Sequence, residues 1–367
     1  MSYVHQLALT YIAGIGSVLS KQLISYCGSA EKVFEANKSK LLRIPNIGEV
    51  LAEQIVLQGR QAVNRAEIEI QKIEKQGVTI FSYLDKDYPQ RLKELEDAPP
   101  ILFYKGNADL NQPKIISIVG TRQATDYGRG VTEDIVNEIK KYNPLIVSGL
   151  AYGIDITAHR AALKQGLQTL GVIATGLDVM YPDAHKNIAQ QMLHQGGLLT
   201  EYALGTEIDQ RLFPRRNRII AGLCDAVIVV EAGEKGGALI TAENANEYHR
   251  EVFAVAGNIN NKYSVGCNQL IQKHKAQIFT SVGDFVESMN WKLGEYELPF
   301  VKKKVTFDLL PEEQIVYELL SKNKEMHLDE LGWQSQLGVS RVAAVLLNME
   351  FKNLLKALPG KKFALIV

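Results

Sequence analysis

Six short runs rich in β-branched and other apolar residues, at 115–119, 145–148, 169–174, 197–200, 226–230 and 251–256, alternate with stretches of helical periodicity such as 126–142 and 156–165. A strand that leads through a helix into the next strand pairs with it in parallel, and the helices cover the faces of the sheet. Right-handed crossovers then give a doubly wound, Rossmann-type α/β domain. The chain has 367 residues, more than one such domain needs, so further modules are expected on either side.

Upstream, residues 12–24 (IAGIGSVLSKQLI) and 44–56 (IPNIGEVLAEQIV) repeat with an offset of 32 residues and share six of 13 positions. Each copy has an apolar residue, a tight turn and an amphipathic helix, the pattern of a helix-hairpin-helix (SAM-like) pair. Turn glycines reach positive φ and leave N–H groups open at a helix start, where a DNA phosphate can bind without any reading of sequence. A small helical domain that uses the turn only for packing explains the same pattern. The second copy has Asn46 in place of Gly14, and no basic residue closely follows either turn. Residues 57–76 read as a further charged helix, and 101–104 as a short strand after the helix-blocking Pro99-Pro100 pair.

Downstream, 291–310 reads as a linker with a basic run at 302–304. After it come three helical stretches (311–321, 328–336, 340–351) and two apolar runs (355–357, 363–366) around the Pro359-Gly360 turn, the outline of a winged helix. The recognition helix of such a module would carry only Arg341 and Lys352 as cations, while Val342, Val345, Leu346 and Met349 are core-like. That favours protein contact or spacing over DNA reading. The expected organisation is a helix-hairpin-helix domain at 1–76, an extended Rossmann-type domain at 77–290, the linker at 291–310 and a winged helix at 311–367.

Lys and Arg number 41, as do Asp and Glu, so the net charge is zero and an anionic partner must be held by a local cluster. Cys27, Cys224 and Cys267 lie far apart without a CxxC pair. This is neither a disulfide framework nor a zinc site, and it fits a reducing cytoplasm. No positive n-region opens the chain and no run of about 20 apolar residues occurs, so neither a signal peptide nor a membrane span is expected.

In a doubly wound sheet, ligands sit beyond the carboxyl ends of the strands. The loops there are small and rich in glycine: Gly120-Thr121-Arg122, Ser148-Gly149 onward to Gly153, Thr175-Gly176, and Glu231 through Lys235 to Gly236-Gly237. They admit a ligand close to the backbone and to helix N-termini, which suits an anion. The first of these loops, GTRQATDYG, lacks G-x-G-x-x-G, and no G-x-x-x-x-G-K-[ST] occurs, so neither a standard dinucleotide site nor a P-loop is expected. Arg122 would fill the space of a pyrophosphate and instead suits a phosphate in its own right. The densest cationic segment holds Arg211, Arg215, Arg216 and Arg218 within eight residues, with Phe213 among them. Cations beside an aromatic face are the physical requirement for single-stranded nucleic acid. The competing assignment pairs these arginines with Glu201, Glu207, Asp209 and Glu231 and buries Phe213 in the core. Catalytic patterns are weak. Asp155 and His159 lie four apart, yet Asp155 more simply complements a helix N-terminus. No metal site, cofactor site or catalytic motif is expected.

In order, SIVGTRQATDYG, VSGLAYGIDITAH, TGLDVMYP, LLTEY, FPRRNRIIAGL, VVEAGEKGGALITA and VFAVAG with GCNQLI resemble the DNA-processing protein A (DprA/Smf) family over roughly residues 80–290. The flanking modules look like those of its longer members. The resemblance implies a non-enzymatic homodimer that binds single-stranded DNA during natural transformation and loads the RecA recombinase past single-strand-binding protein. Carried over by position, it implies a DNA pocket with Arg122, with Ser148, Gly149 and Gly153, and with Phe213, Arg215, Arg216, Asn217 and Arg218. Gly120, Thr121, Arg211, Lys235, Gly236, Gly237 and Thr241 complete the expected DNA-binding set. Where the family has S-G-[ST]-L-[IT]-T-A, this chain reads GGALITA, which leaves phosphate contacts there to backbone N–H groups, Lys235 and Thr241. The family's A-V-P-G reads AVAG and its late G-A pair is Lys275-Ala276. Two other readings compete. One is a Rossmann-type phosphoribohydrolase of nucleoside monophosphates, for which Gly236, Gly237 and Glu243 keep the P-G-G-x-G-T-x-x-E spacing but Leu239 and Ile240 stand at the G-T positions. The other is a nucleotide sensor that reads a small ligand in the same pocket.

Overall fold

The computed structural model describes residues 3–292, 309–323, 325–352, 354–358 and 360–365. The chain forms two compact units, residues 1–295 and 296–367.

The first unit opens with α1 (Tyr3–Thr10), α2 (Ser17–Cys27), α3 (Ala30–Glu35), α4 (Lys38–Leu41) and α5 (Glu49–Lys75). The sequence repeat is repeated in hydrogen bonds. Ile15 N–H donates to Ile12 O and Ile47 N–H to Ile44 O at 3.1 and 3.2 Å, and Ser20 and Ala52 close the next turns on Gly16 O and Gly48 O at 2.9 and 3.0 Å. Gly14 and Asn46 take φ values of 84° and 63°. Asparagine tolerates this region better than most side chains, so the departure in the second copy preserves the turn. The helix expected at 57–76 is the later part of α5, which runs on from the second turn because apolar residues keep helical spacing from Ala52 to Ile73 with no proline between.

The sheet domain follows: β1 (Thr79–Ser82), α6 (Gln90–Lys93), β2 (Ile101–Gly106), β3 (Ile115–Val119), α7 (Asp126–Ile139), β4 (Leu145–Ser148), α8 (Ile154–Lys164), β5 (Thr169–Val172), α9 (Lys186–Met192) and β6 (Gly196–Thr200). It continues with α10 (Leu212–Leu223), β7 (Ala226–Val229), α11 (Gly237–Glu247), β8 (Glu251–Val255), α12 (Val265–Gln272), β9 (Gln277–Phe279) and α13 (Val282–Ser288). Nine strands pair in the order β1-β2-β6-β5-β4-β3-β7-β8-β9. From β6 to β9 all neighbours are parallel, while β2 pairs antiparallel with β6 and β1 antiparallel with β2. This is the expected doubly wound sheet. The two outer strands β1 and β9 escaped the sequence reading because they are short and show no continuous apolar run.

Strand alternation divides the core between the two faces. Ile115 and Val119 meet α10, α11 and α12, whereas Ile116 and Ile118 meet α7, α8 and α13. The chain winds outward from β3 to β6, then returns to the centre and winds the other way from β7. A crevice therefore opens between the carboxyl ends of β3 and β7, the switch point where ligands bind in such sheets. The helical module is anchored to this domain. Lys21 Nζ donates to Leu95 O and Glu96 O at 3.0 Å, and Leu204 N–H donates to Glu69 Oε1 at 2.6 Å.

The second unit contains α14 (Pro311–Lys322), β10 (Met326–His327), α15 (Leu328–Gln334), α16 (Val339–Phe351), β11 (Leu355–Leu358) and β12 (Lys362–Leu365). Its strands pair antiparallel in the order β10-β12-β11 over a core that includes Val316, Leu331, Val342, Val345, Leu346 and Met349. This is the expected winged helix. Arg341 pairs with Glu312 at 2.9 Å, and Lys352 with the buried Glu313 at 2.7 Å, so α14 neutralises both cations expected on the recognition helix. Of the expected linker, residues 293–308 lie outside the described residues, as does residue 366 of the second apolar run. No described helix is long and apolar enough to cross a membrane.

Candidate nucleic-acid interface

A cleft of about 940 Å³ occupies the crevice, walled by the loop after β3, the loop after β7 and the first turns of α10 and α11. Glycines let these segments meet. A Cβ on Gly120 would stand 2.4 Å from Ile154 Cγ1, and one on Gly153, whose φ is 78°, would stand 2.1 Å from Thr121 O. Thr121 N–H donates to Glu231 O at 2.7 Å and ties one loop to the other. Next to this junction Arg122 is exposed and, among the described residues, has no carboxylate partner. Its guanidinium lies over the ring of Phe213, 5.4 Å from the centroid. Phe213 in turn meets Tyr181 edge-on at 5.6 Å.

The opposite wall is the start of α11. Its N-cap is Gly236, no side chain caps it, and its first turn carries no acid. The leading N–H groups therefore present positive partial charge to the cleft, beside the exposed Lys235. The helices after β3 and β4, α7 and α8, each carry an acid in the first turn instead. The Glu231 carboxylate accepts from Thr125 N–H and Oγ1 at 2.9 and 2.6 Å at the start of α7, and Asp155 sits in the first turn of α8.

The arginine-rich segment forms the first turns of α10. Pro214 fits there because first-turn N–H groups have no helical acceptor to lose. Helical phase then splits the cluster. Phe213, Arg216, Asn217 and Ile220, spaced i, i+3, i+4 and i+7, line the cleft, whereas Arg211, Arg215 and Arg218 do not. Arg211 pairs with Asp209 at 2.7 Å. Arg218 donates to Asp97 O at 2.6 Å and pairs with Glu201. Arg215 is exposed.

Arg216 lies under the cleft floor, only 3% exposed. It donates to Gly149 O at 2.8 Å, to Val172 O and to Asn217 Oδ1. Asp155 accepts from Gly149 N–H at 3.1 Å. Burial lowers the Arg216 guanidinium to about 10, with Asp155 opposing the fall. Burial likewise raises the Asp155 carboxyl, with Arg216 opposing. The two charges brace the loop after β4 from below. Asn217 Nδ2 donates to Gly237 O at 3.0 Å and fixes α10 against α11.

Residues 79–290 match the family model described as DNA recombination-mediator protein A. The chain belongs to the DNA recombination-mediator protein A family. Residues 302–361 match the DprA winged helix domain and 7–60 the SAM-like helix-hairpin-helix tandem. The DNA processing protein DprA of Bacillus subtilis is 37% identical over 299 residues, covering 79% of this chain and 97% of that one. Its namesake from Streptococcus pneumoniae is 46% identical over 204 residues, 56% of this chain and 72% of the relative. The X-ray structure of the Streptococcus pneumoniae protein superposes with a TM-score of 0.69 at 35% identity, over 78% of this chain and 98% of that chain. A structure of DNA processing protein A from Helicobacter pylori, described for its single-stranded DNA binding mode, gives 0.53 at 28% identity over 58% and 95%.

Of the expected DNA-binding set, the cleft brings together Gly120, Thr121, Arg122, Phe213, Arg216, Asn217, Lys235, Gly236, Gly237 and Thr241. Ser148, Gly149, Gly153, Arg211, Arg215 and Arg218 lie outside its lining. Two hydroxyls are already engaged: Ser148 Oγ donates to Ile118 O at 2.6 Å and Thr241 Oγ1 to Gly237 O at 3.0 Å. The ion-pair assignment weighed for the arginines holds for Arg211 and Arg218. It fails for Phe213, which is half-buried at the cleft rather than in the core, and for Glu231, whose carboxylate holds Thr125. Sequence reasoning missed Tyr181 and Gln123 as lining residues. An aromatic directly before Pro182, in the connection from β5 to α9, was the available signal for the first. His159 makes no pair with Asp155, because its Nδ1 reaches Thr169 Oγ1 on β5 at 2.7 Å.

Proposed function

We propose that this cleft binds single-stranded DNA and that the protein is a non-enzymatic recombination mediator of natural transformation, acting as a homodimer that loads the RecA recombinase on incoming strands past single-strand-binding protein. One observation carries the reading. Arg122, without a carboxylate partner among the described residues, lies over the half-buried ring of Phe213, facing an uncapped helix start flanked by Lys235. A cation and open N–H donors suit phosphates, and an aromatic face suits any base. The single-stranded DNA binding described for the Helicobacter pylori relative supports it. In this reading Gly120, Thr121, Arg122, Phe213, Lys235, Gly236 and Gly237 meet the strand, while Arg216, Asn217 and Thr241 hold their shape. The segments 1–76, 77–290 and 311–367 are the modules that serve that function.

Binding of a fluorescent oligothymidine tests the proposal. Affinity should fall with salt at a log–log slope of about −0.7 for each phosphate held. Arg122→Ala should weaken binding by about tenfold or more, as loss of a charge-assisted phosphate contact requires, without moving the urea unfolding midpoint. An Arg122→Ala protein that binds like wild type would remove the cleft from consideration. Release of free base on incubation with AMP would replace the mediator reading with the phosphoribohydrolase one.

A further inference from the structure

A second cationic surface lies outside the cleft, where α8 packs beside α9. Between residues 156 and 200 the cations are Arg160, Lys164 and Lys186, and the only acids are Asp178 and Asp183. Both oxygens of Asp178 accept from Gly205 N–H at 2.9 Å. Arg160, Lys164 and Lys186 are exposed, and among the described residues none has a carboxylate partner. A groove of about 490 Å³ runs here, with Arg160, Lys164 and His194 above Leu163 and Ile188. The carbonyls ending α8, which would repel an anion, are covered: Gln195 Nε2 donates to Leu163 O and Leu167 O at 3.1 and 2.8 Å. In a chain of zero net charge, three exposed cations whose acidic neighbours in the segment are Asp178, engaged by Gly205 N–H, and the exposed Asp183 leave a net positive surface that favours a polyanion.

The groove borders a helix that starts at the cleft. The first residue of α8, Ile154, donates its N–H to Thr121 O at 3.2 Å, and Asp155 lines the cleft. At a rise of 1.5 Å per residue, Arg160 and Lys164 stand about 9 and about 15 Å further along the helix axis. That is the length of a few nucleotides. Two residues before α8 is the exposed ring of Tyr152, edge-on to His185 at 4.8 Å, and Lys186 at the start of α9 follows His185 directly.

We propose that the α8–α9 groove carries the continuation of the single strand as it leaves the cleft, with Arg160, Lys164 and Lys186 holding its phosphates. The inference rests on the reading of the cleft as a single-stranded DNA site. Fluorescence anisotropy of the full chain with oligothymidines of about 6 and about 20 nucleotides separates the two, since single-strand sites of such proteins span lengths in that range. The triple variant Arg160→Ala, Lys164→Ala, Lys186→Ala should bind the short probe as wild type does. It should lose about tenfold in affinity for the long one, with a salt slope shallower by about 0.7 per phosphate released. A control variant lacking three exposed cations of α5, Arg60, Lys72 and Lys75, should bind both probes normally. Unchanged binding of the long probe by the triple variant overturns the proposal, as does an equal loss in the control, which would mark a bulk charge effect. So does capture of a polyglutamate peptide by wild type but not by the triple variant while DNA binding stays intact, which would assign the groove to an acidic protein segment. Failure of the cleft reading has its own signature, short-probe binding that is absent or indifferent to Arg122→Ala.

Discussion

His159 is fully buried, with one ring nitrogen on Thr169 and the other, Nε2, without a hydrogen-bond partner. Burial pushes its pKa down to about 3, so the folded protein keeps it neutral. An unfolded chain protonates histidine near 6.5. Between those values the unfolded state binds the extra proton, and stability falls as pH falls, by up to about 1.4 kcal/mol per pH unit. His159→Gln should remove that component: urea midpoints measured from pH 7 to 5 should decline less steeply in the variant than in wild type. Arg218 makes a second case. Its side chain and that of Glu201 are 14% and 10% exposed, and Arg218→Met would strand the carboxylate. A loss of about 3 kcal/mol in urea denaturation is expected, the usual cost of breaking a buried pair from one side. Arg211→Ala, at an exposed pair with Asp209, should leave the midpoint unchanged. The basic character of the 211–218 run was legible in the sequence. Which arginine faces the cleft, which braces its floor and which pairs with acids was not, because that depends on the phase of a helix whose start a proline obscured.

At the scale of elements, α10 and α11 make the cleft by meeting at their first turns, with Asn217 on Gly237 O as the tie. Phe213→Ala should weaken oligothymidine binding by about 1–3 kcal/mol, the worth of one stacked base, and Phe213→Trp should recover most of it; equilibrium titration at fixed salt measures both. The helix-hairpin-helix pair was legible because its turns recur with the same apolar neighbours, and Asn46 stands where only a tolerant residue can. Asn46→Gly should therefore unfold near the wild-type temperature, whereas Asn46→Val, forced into left-handed backbone, should lose about 1–2 kcal/mol in calorimetry. The short strands β1 and β9 stayed hidden for the converse reason. With three or four residues each and partial exposure, they are held in place by their partners β2 and β8 rather than by any pattern of their own.

The whole molecule divides into two compact units, and the proposed DNA site belongs to the first. A chain ending at residue 292 should keep its affinity for a short oligothymidine and its unfolding midpoint, measured by anisotropy and circular dichroism. Fold class was legible at this scale because repeated strand–helix alternation permits few topologies. The switch between β3 and β7 was not, since strand order depends on which edge each crossover chooses. That switch has a consequence for biosynthesis. One bank of the crevice is made near Gly120 and the other only after Thr241, on a strand that inserts at the centre of the sheet. A nascent chain paused on the ribosome before β7 emerges has half a mouth and nothing to close it. The cleft is therefore complete only once synthesis has carried the second half of the sheet home.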